Sequence, residues 1–559
     1  MSKETADNHV GNITKKRRGI ALLIVSLAFV MDLLDATIIN IALPSIQTSL
    51  GASFATIQWM VAGYILTFAL LLITGGRMGD VFGYKKMFLV GIGGFTLASL
   101  FCGIAINPEM LVVARLIQGG MAALMVPQVM SLMQVMYKPH ERTKVTGLFG
   151  MLGGLAATLG PILGGLLISA NIFGLDWRPI FLINLPIGIG ALIAGMKFLP
   201  SGKSPHPLRL DTIGTGILVI ALSLLVFPLI QGRELGWPAW TFWMMAASLP
   251  VLGIFALYEK HKNNKDKSPL VEPSLMKVKS FVRGLGLNTV AQAAMLGFFL
   301  TFTITLQAGL GFSVLNAAII GIPTAIGIGF AIAALSQKLI PILGRYVITL
   351  GAVATAIGFC ITAWVMNYFG TDVTGWYFIP GLLIGGLGLG SIMGTMFSVT
   401  LRDVDSAHAG SASGIMSAVQ QMGGAIGVAI IGTIFFGQLA AGAPKAFDTV
   451  APQLQQKLSA MQIPADTQQQ IVNGSRICFS DLSAQNDHKE MPESCKQLQQ
   501  GEAGGQVQAA VTEIAKKANA KNFANAYNGG LIFSLAALAA TFLLSFTLPR
   551  KLHAVPEAV

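Results

Sequence analysis

Fourteen times along this chain, a run of roughly 20 residues is almost free of charge: about 19–43, 56–75, 87–106, 110–134, 145–169, 178–199, 211–230, 239–258, 281–307, 316–336, 346–367, 375–399, 410–436 and 526–548. A helix of about 20 apolar residues crosses the roughly 30 Å hydrocarbon core of a bilayer. In water these surfaces would have only one another to pack on, whereas in lipid each is solvated and its backbone is satisfied within its own helix. The expected fold class is therefore an all-α integral membrane protein. Composition agrees, with 53% hydrophobic and 11% charged residues, where soluble domains carry about 25% charged. The 64 glycines suit close approach of helix backbones in lipid.

A net charge of +12 invites a nucleic-acid partner, but the placement of the bases argues against one. With the N-terminus inside, most Lys and Arg fall on the cytoplasmic side, with Lys260, Lys262, Lys265, Lys267, Lys277 and Lys279 in one segment, while the short outer loops hold Arg178 and Arg233. That is the positive-inside bias, and it places both termini in the cytoplasm of a bacterial inner membrane. The basic cluster Lys15–Arg18 precedes an apolar run as in a signal peptide, but no A-x-A-like site closes that run, so it is read as an uncleaved first helix.

The runs group as six, two and six. A cytoplasmic tail (1–18) leads into a six-helix bundle (19–200), two additional helices (201–258), a charged cytoplasmic linker (259–280) and a second six-helix bundle (281–548), followed by a cytoplasmic tail (549–559). The second bundle contains a long extracytoplasmic loop (437–525) between spans 13 and 14. Faint echoes between RLIQGGMAALMVP and GLLIGGLGLGSIMG, and between GLAATLGPILGG and QQMGGAIGVAIIG, suggest repeated halves, an arrangement that recurs in transporters. Apolar residues in 437–525 recur at helical spacing, so short helices capping the outward opening are expected there. Cys478 and Cys495 in that loop either close a disulfide contributing about 3 kcal/mol or remain free thiols. Cys102 and Cys360 read as packing residues inside spans.

Enzyme chemistry finds no footing. The seven histidines lie in loops, tails or span ends without metal-ligand spacing. The triplet Gly202–Ser204 would complete a phosphate-binding loop, but Lys197 stands where that pattern needs glycine. Gly410–Gly414 has alanine where a nucleophile elbow needs serine. No metal and no cofactor is expected, and uphill work would draw on an ion gradient.

The stretch MDLLDATIINIALP (31–44) is the exception in an apolar landscape. Asp32 lies about 21 Å of helix beyond Arg18, and Asp35 shares its face. An ionised acid facing lipid costs several kcal/mol, so this face looks into protein or a wet cavity. Two like charges about 6 Å apart repel by roughly 3 kcal/mol at an effective dielectric of 20, so one of the pair is expected to hold a proton. Arg115 is the obvious partner in span four. Asp211 and Glu259 sit at span ends, where solvated charges are ordinary.

These residues and their neighbours resemble the fourteen-span drug:proton antiporters of the major facilitator superfamily, which include exporters of quaternary ammonium compounds. LDATIINIALP (34–44) is similar to that family's first-span motif. GGRMGDVFGYKK (75–86) is similar to the loop between spans two and three, with Gly76, Asp80, Gly83, Lys85 and Lys86 in place and Val81 where a base is usual. RLIQG (115–119) resembles the span-four motif, and GPILGG (160–165), with Gly160, Pro161, Gly164 and Gly165, the span-five motif. WRPIFLINLPIG (177–188) and AGSASGIMSAVQQMGGAIG (409–427) resemble the fourteen-span branch more specifically.

The resemblance implies a major-facilitator fold of 14 transmembrane helices in a 6+2+6 arrangement, with no enzymatic activity. It implies export of lipophilic, mostly cationic drugs in exchange for protons by a monomer. Asp35 would carry the proton, Asp32 would be a second proton or cation site, and Arg115 would tune both. Asn40, Trp59, Tyr64, Gln118 and Gln307 would line the cavity, and Asp80 would pair with a base or a helix N-terminus across the domain interface. The alternative is an endogenous lipid or metabolite as cargo, with the outer loop docking a periplasmic partner.

Overall fold

The computed structural model describes residues 15–137, 139–204, 209–232, 234–266, 268–404, 409–484, 492–500 and 505–548; the tails 1–14 and 549–559 and Arg233 lie outside the described residues. All regular structure among the described residues is helical. The main helices are α1 (Lys15–Leu50), α2 (Phe54–Phe82), α3 (Tyr84–Gly103), α4 (Pro108–Met136), α5 (Pro139–Ala170), α6 (Pro179–Phe198), α7 (Thr212–Gln231), α8 (Ala239–Asp266), α9 (Lys279–Ile304), α10 (Val314–Leu335), α11 (Tyr346–Phe369), α12 (Ile379–Thr400), α13 (Ala409–Ala460), α14 (Ala465–Ala484), α15 (Glu493–Gln500) and α16 (Gly505–Ser545). Among the described residues 13 helices are long and apolar enough to cross a membrane, and α5 adds a shorter apolar stretch, Leu159–Ala170.

Side chains mark where several helices begin. Ser53, Asn107 and Asp211 precede α2, α4 and α7, and each accepts a hydrogen bond from a first-turn amide, satisfying one of the donors a helix start leaves open. Between α2 and α3 the chain turns at Gly83 with φ 100°, a conformation that costs glycine little.

The same packing scheme occurs twice. In the first half α2 and α3 lie on α4, α1 lies on α5, and α6 contacts α1 and α3. In the second, α10 and α11 lie on α12, α9 lies on α13, and α16 contacts α9 and α11. Missing side chains permit close approaches at equivalent places: a Cβ on Gly91 of α3 would sit 2.7 Å from the Met125 nitrogen of α4, and one on Gly351 of α11 would sit 2.8 Å from the Gly388 oxygen of α12. The halves meet through α2 with α13 and α5 with α10.

Calling the end where α1 starts the near end, firm contacts join the halves at the far end. Phe54 stacks on Phe436 with ring centroids 4.3 Å apart, Gln307 Nε2 donates to the Ile41 oxygen at 3.1 Å, and Gly165 of α5 closes on Leu315 and Ala318 of α10. Helices α7 and α8 pair as a hairpin, with α7 against both α2 and α13.

The 52 residues of α13 and the 41 of α16 make helices of about 78 and 60 Å, well beyond the roughly 30 Å hydrocarbon core. Their extensions share a second apolar core in which Phe447, Leu454 and Leu458 meet Ile514 and Ala518, closed by Val472 and Phe479 of α14. A disulfide joins Cys478 of α14 to Cys495 of α15, with Cα atoms 4.7 Å apart. The sequence led us to expect short helices over the outward opening. The short helices are α14 and α15, while α13 also continues through Pro444 and Pro452, and α14 stands on α13, so the segment is an outgrowth of the second half.

Replacing Cys478 and Cys495 by serine is expected to speed protease cleavage within 465–500 in the intact protein, by up to the roughly 3 kcal/mol that closing such a loop contributes. The melting temperature of the membrane bundles should not change; limited proteolysis with mass spectrometry and a thermal melt check the two parts.

Candidate functional site

Five helices of the first half converge on one buried polar cluster. Asp32 and Asp35 come from one face of α1, Tyr64 from α2, Ser99 and Cys102 from α3, Arg115 and Gln118 from α4, and Asn184 from α6. Close approach of α4 to α2 sets the geometry: a Cβ on Gly119 would collide with the Tyr64 carbonyl and Thr67, and Thr67 Oγ1 donates to the Leu116 oxygen at 2.9 Å. With no bulk at Gly119, Arg115 comes to lie beside Tyr64 and beneath Asp35.

Arg115 and Asp35 are each 1% exposed. Arg115 Nη1 pairs with Asp35 Oδ2 and donates to Gln118 Oε1 at 2.8 Å, while Nε donates to the Met60 oxygen at 3.1 Å. Its guanidinium carbon lies 4.1 Å from the centroid of the Tyr64 ring, a cation–π contact strengthened by the absence of water. The other oxygen of Asp35 accepts from Gln118 Nε2 at 2.8 Å and from Asn184 Nδ2 at 3.0 Å. Ser99 Oγ in turn accepts from Gln118 Nε2 at 2.8 Å and Asn184 Nδ2 at 3.3 Å. Each charge therefore has a counter-charge and hydrogen bonds around it, which is what makes a buried pair tolerable.

Asp32 is held differently. It is 6% exposed, and its hydrogen bond comes from a neutral donor, the Tyr64 hydroxyl at 2.6 Å. One acid of the helix face is thus locked to a cation and the other is bound by a phenol, with Tyr64 in contact with both.

The remaining sequence candidates scatter. Tyr64 and Gln118 turn into the ion pair. Asn40 donates to the Ala36 oxygen of its own helix at 3.5 Å, Trp59 lies 6.1 Å from Phe227 of α7, and Gln307 belongs to the far-end contact. Asp80 does not reach across the halves: it accepts from Tyr84 Oη at 3.0 Å at the start of α3. The long reach is made by Arg77, which donates to the Ser268, Pro269 and Leu270 carbonyls of the linker. Gly83 forms the turn, Lys85 Nζ donates to the Met196 oxygen at 2.7 Å, and Lys86 is exposed. Cβ atoms on Gly160 or Gly164 would strike Thr37 or Ile38 of α1, so the span-five glycines seat α5 against the acid-bearing helix, with Pro161 inside α5. Cys102 is buried and donates to Gln118 Oε1 at 3.6 Å, whereas Cys360 is exposed.

Sequence reasoning missed Asn184, an amide in an apolar helix whose depth beside a known acid was the available signal. It also missed a small pocket of about 60 Å³ in the near half of α9, α12 and α13, where the amides of Asn288, Gln292 and Gln420 alternate with Met295, Met396 and Met416. Its lining contains no charged residue.

Two equivalent helix bundles, a polar cluster at membrane depth and a cavity in the second bundle define the class: a polytopic membrane transporter. The Major Facilitator Superfamily model matches residues 25–229 and 209–428, and the chain belongs to that family. It is 39% identical to the "Probable actinorhodin transporter" of Streptomyces coelicolor over 96% of this chain and 92% of the relative. It is 30% identical to the "Tetracenomycin C resistance and export protein" of Streptomyces glaucescens, over 78% of this chain and 80% of that one. Among solved structures, a bacterial homolog of the human lysosomal transporter Spinster, inward-facing and occupied, superposes with a TM-score of 0.58 at 16% identity, covering 96% of this chain and 98% of its own; this similarity concerns the fold.

Removing one partner of the buried pair should cost about 3–5 kcal/mol, because the other charge is left without compensation. Arg115→Ala is expected to lower the melting temperature sharply, and Arg115→Gln combined with Asp35→Asn to recover most of the loss. A thermal unfolding series on the purified protein in detergent checks both.

Proposed function

We propose that this protein is a proton-coupled exporter of lipophilic drugs, in which Asp35 carries the proton and Arg115 is the group its protonation releases. The carrying observation is the arrangement of one guanidinium, two carboxylates and one phenol. When Asp35 takes up a proton, Arg115 loses its buried counter-charge, and Asp32 is the next acid on the same face. Tyr64, which stacks under Arg115 and hydrogen-bonds Asp32, links the two positions. A move of Arg115 toward Asp32 shifts α4 against α1, and helices packed on small residues accommodate such sliding. Asp32 then serves as the second proton or cation site. The full complement of spans is 14, with α5 among them and the near end in the cytoplasm of a bacterial inner membrane; the far-end contacts describe a state shut on the outside.

On this reading cationic cargo is drawn by Asp32. A second reading of the cargo is supported by the cavity near Asn288, where amides can match hydroxyl and carbonyl groups and thioethers suit flat rings. Together with relatives named for actinorhodin transport and for tetracenomycin C resistance and export, it favours an endogenous metabolite that presents hydroxyl and carbonyl groups.

In proteoliposomes with an imposed proton gradient, export of a lipophilic cation should stop on adding a protonophore and fall at least about 100-fold in Asp35→Asn, the order lost when a positioned proton-transfer group is removed. Retained gradient-driven export in that variant would remove Asp35 from the carrier role. Asp32→Asn should impair dications more than monocations. An aromatic compound bearing hydroxyl and carbonyl groups that competes with the cation in wild type, but much less in Gln292→Leu, would favour the second cargo.

A further inference from the structure

Asp211 and Glu259 were expected in solvent at span ends, yet they are 2% and 3% exposed. The linker folds over them. Asp211 Oδ1 caps α7, accepting from the Gly214 nitrogen at 2.8 Å and from Tyr258 Oη at 3.0 Å. Glu259 Oε2 accepts from the Val271 nitrogen at 2.9 Å. The remaining oxygens, Asp211 Oδ2 and Glu259 Oε1, are buried without a hydrogen-bond partner. They converge on the space above Gly214, where an added Cβ would lie 2.6 Å from the first and 2.5 Å from the second.

We propose that Asp211 and Glu259 form a second proton-binding site, in which one proton shared between Asp211 Oδ2 and Glu259 Oε1 controls the grip of the 259–280 linker on α2. Two carboxylates facing each other in a dry gap cannot both stay ionised unless a cation joins them. A single proton supplies the missing donor and satisfies both orphan oxygens at once. Two ligands are too few to replace the hydration shell of a metal ion, which takes six or more oxygens when it is calcium.

The charged and titratable groups acting on the pair are Arg77 from α2 and Tyr258 from α8, with Lys262 beside Tyr258. Arg77 reaches the linker through the Ser268, Pro269 and Leu270 carbonyls and also contacts the Arg209 oxygen at 3.4 Å. One chain of contacts thus runs from Asp211 through Glu259 and the Val271 amide to the carbonyls that hold Arg77. With the proton bound, the carboxyls close and the linker is pinned. When the proton leaves, like charges push the ends of α7 and α8 apart, the Val271 bond opens, and the near end of α2 is freed. The grip is therefore complete at low pH and is lost as pH rises. The site does not depend on which cargo or ion the central cluster moves.

Two readouts on the full-length protein test this, and neither requires transport. Wild type should show an infrared band of a protonated carboxyl that disappears as pH rises and is missing in both Glu259→Gln and Asp211→Asn, since one proton serves both residues. Hydrogen exchange across 268–278, corrected for intrinsic base catalysis, should accelerate about tenfold over the same pH range, as a proton affinity coupled by one unit requires. In Glu259→Gln, whose amide can donate to Asp211, exchange should stay slow at every pH, and in Gly214→Ala, which wedges the pair apart, it should be fast at every pH. In Asp35→Asn the pH step should persist, which separates this site from the central one. A band that survives both carboxyl substitutions, identical exchange profiles in wild type and Glu259→Gln, or protection that follows sodium rather than pH would each overturn the proposal.

Discussion

A guanidinium and a carboxylate sealed among apolar helices dictate how the first half of this molecule is assembled. Neither charge can be left alone at membrane depth, so Arg115 and Asp35 require each other, and the lone pairs left over require Gln118 and Asn184. Those requirements tie α1, α4 and α6 at one point, with α2 joined through the Met60 carbonyl and the Tyr64 ring and α3 through Ser99. Loss of the Asp35 charge would therefore disturb Arg115, Gln118 and Asn184 together, because each of them is turned toward it.

Much of this was legible in the chain. Asp32, Asp35 and Arg115 stand out because charge is rare in apolar runs, and depth could be counted from Arg18 along a helix of known rise. Lateral position was harder to read. Trp59 and Tyr64 sit on the same helix, but one faces Phe227 of the α7–α8 hairpin and the other the ion pair, a difference of angle that hydropathy does not encode when every face of the helix is apolar. Asn184 was hidden because a single amide near a helix start reads as a cap. Asp211 and Glu259 were misread because span ends mark where charge lies along the sequence, whereas their burial comes from a linker folding back over them. The segment 437–525 reads as a separate loop because its composition turns polar, yet packing of Phe447, Leu454 and Leu458 on α16 carries α13 on into it.

The glycines show how the two halves can be firm and still mobile. Backbones approach closely at Gly91 and Gly351, equivalent places in the two bundles, so each bundle is packed as one block. Between the blocks α2 packs along α13 and α5 on α10, with Phe54 stacked on Phe436, Gln58 against Gly432, one amide from Gln307, Gly165 against α10 and, at the near end, Ile73 against Phe281, Ala412 and Ile415. None of these is an ion pair, and apolar or single-bond contacts can be exchanged one at a time at modest cost. The outgrowth on α13 and α16 is different in kind. Both shafts belong to the second block, so the outer core must follow every motion of that block as a rigid extension, which leaves it better placed to report the conformation than to cover the opening.

Helix α2 connects the two acidic pairs. Toward its middle it offers the Met60 carbonyl to Arg115 and the Tyr64 hydroxyl to Asp32; at its near end Arg77 is held by linker carbonyls that lead to Glu259. From Tyr64 to Arg77 is about 20 Å of continuous helix, stiff over that length. The same helix packs on α4 within its own block, on α13 of the other block and on α7 of the hairpin. A displacement of α2 that follows a change at Arg115 therefore has to work against whatever holds Arg77, and the state of the linker sets the cost of that displacement. Coupling of this kind needs only two positions of one element, each biased by a different site. The α7–α8 hairpin, through the linker that grips Arg77, thus holds the near end of the helix that touches both the Arg115–Asp35 cluster and the second block.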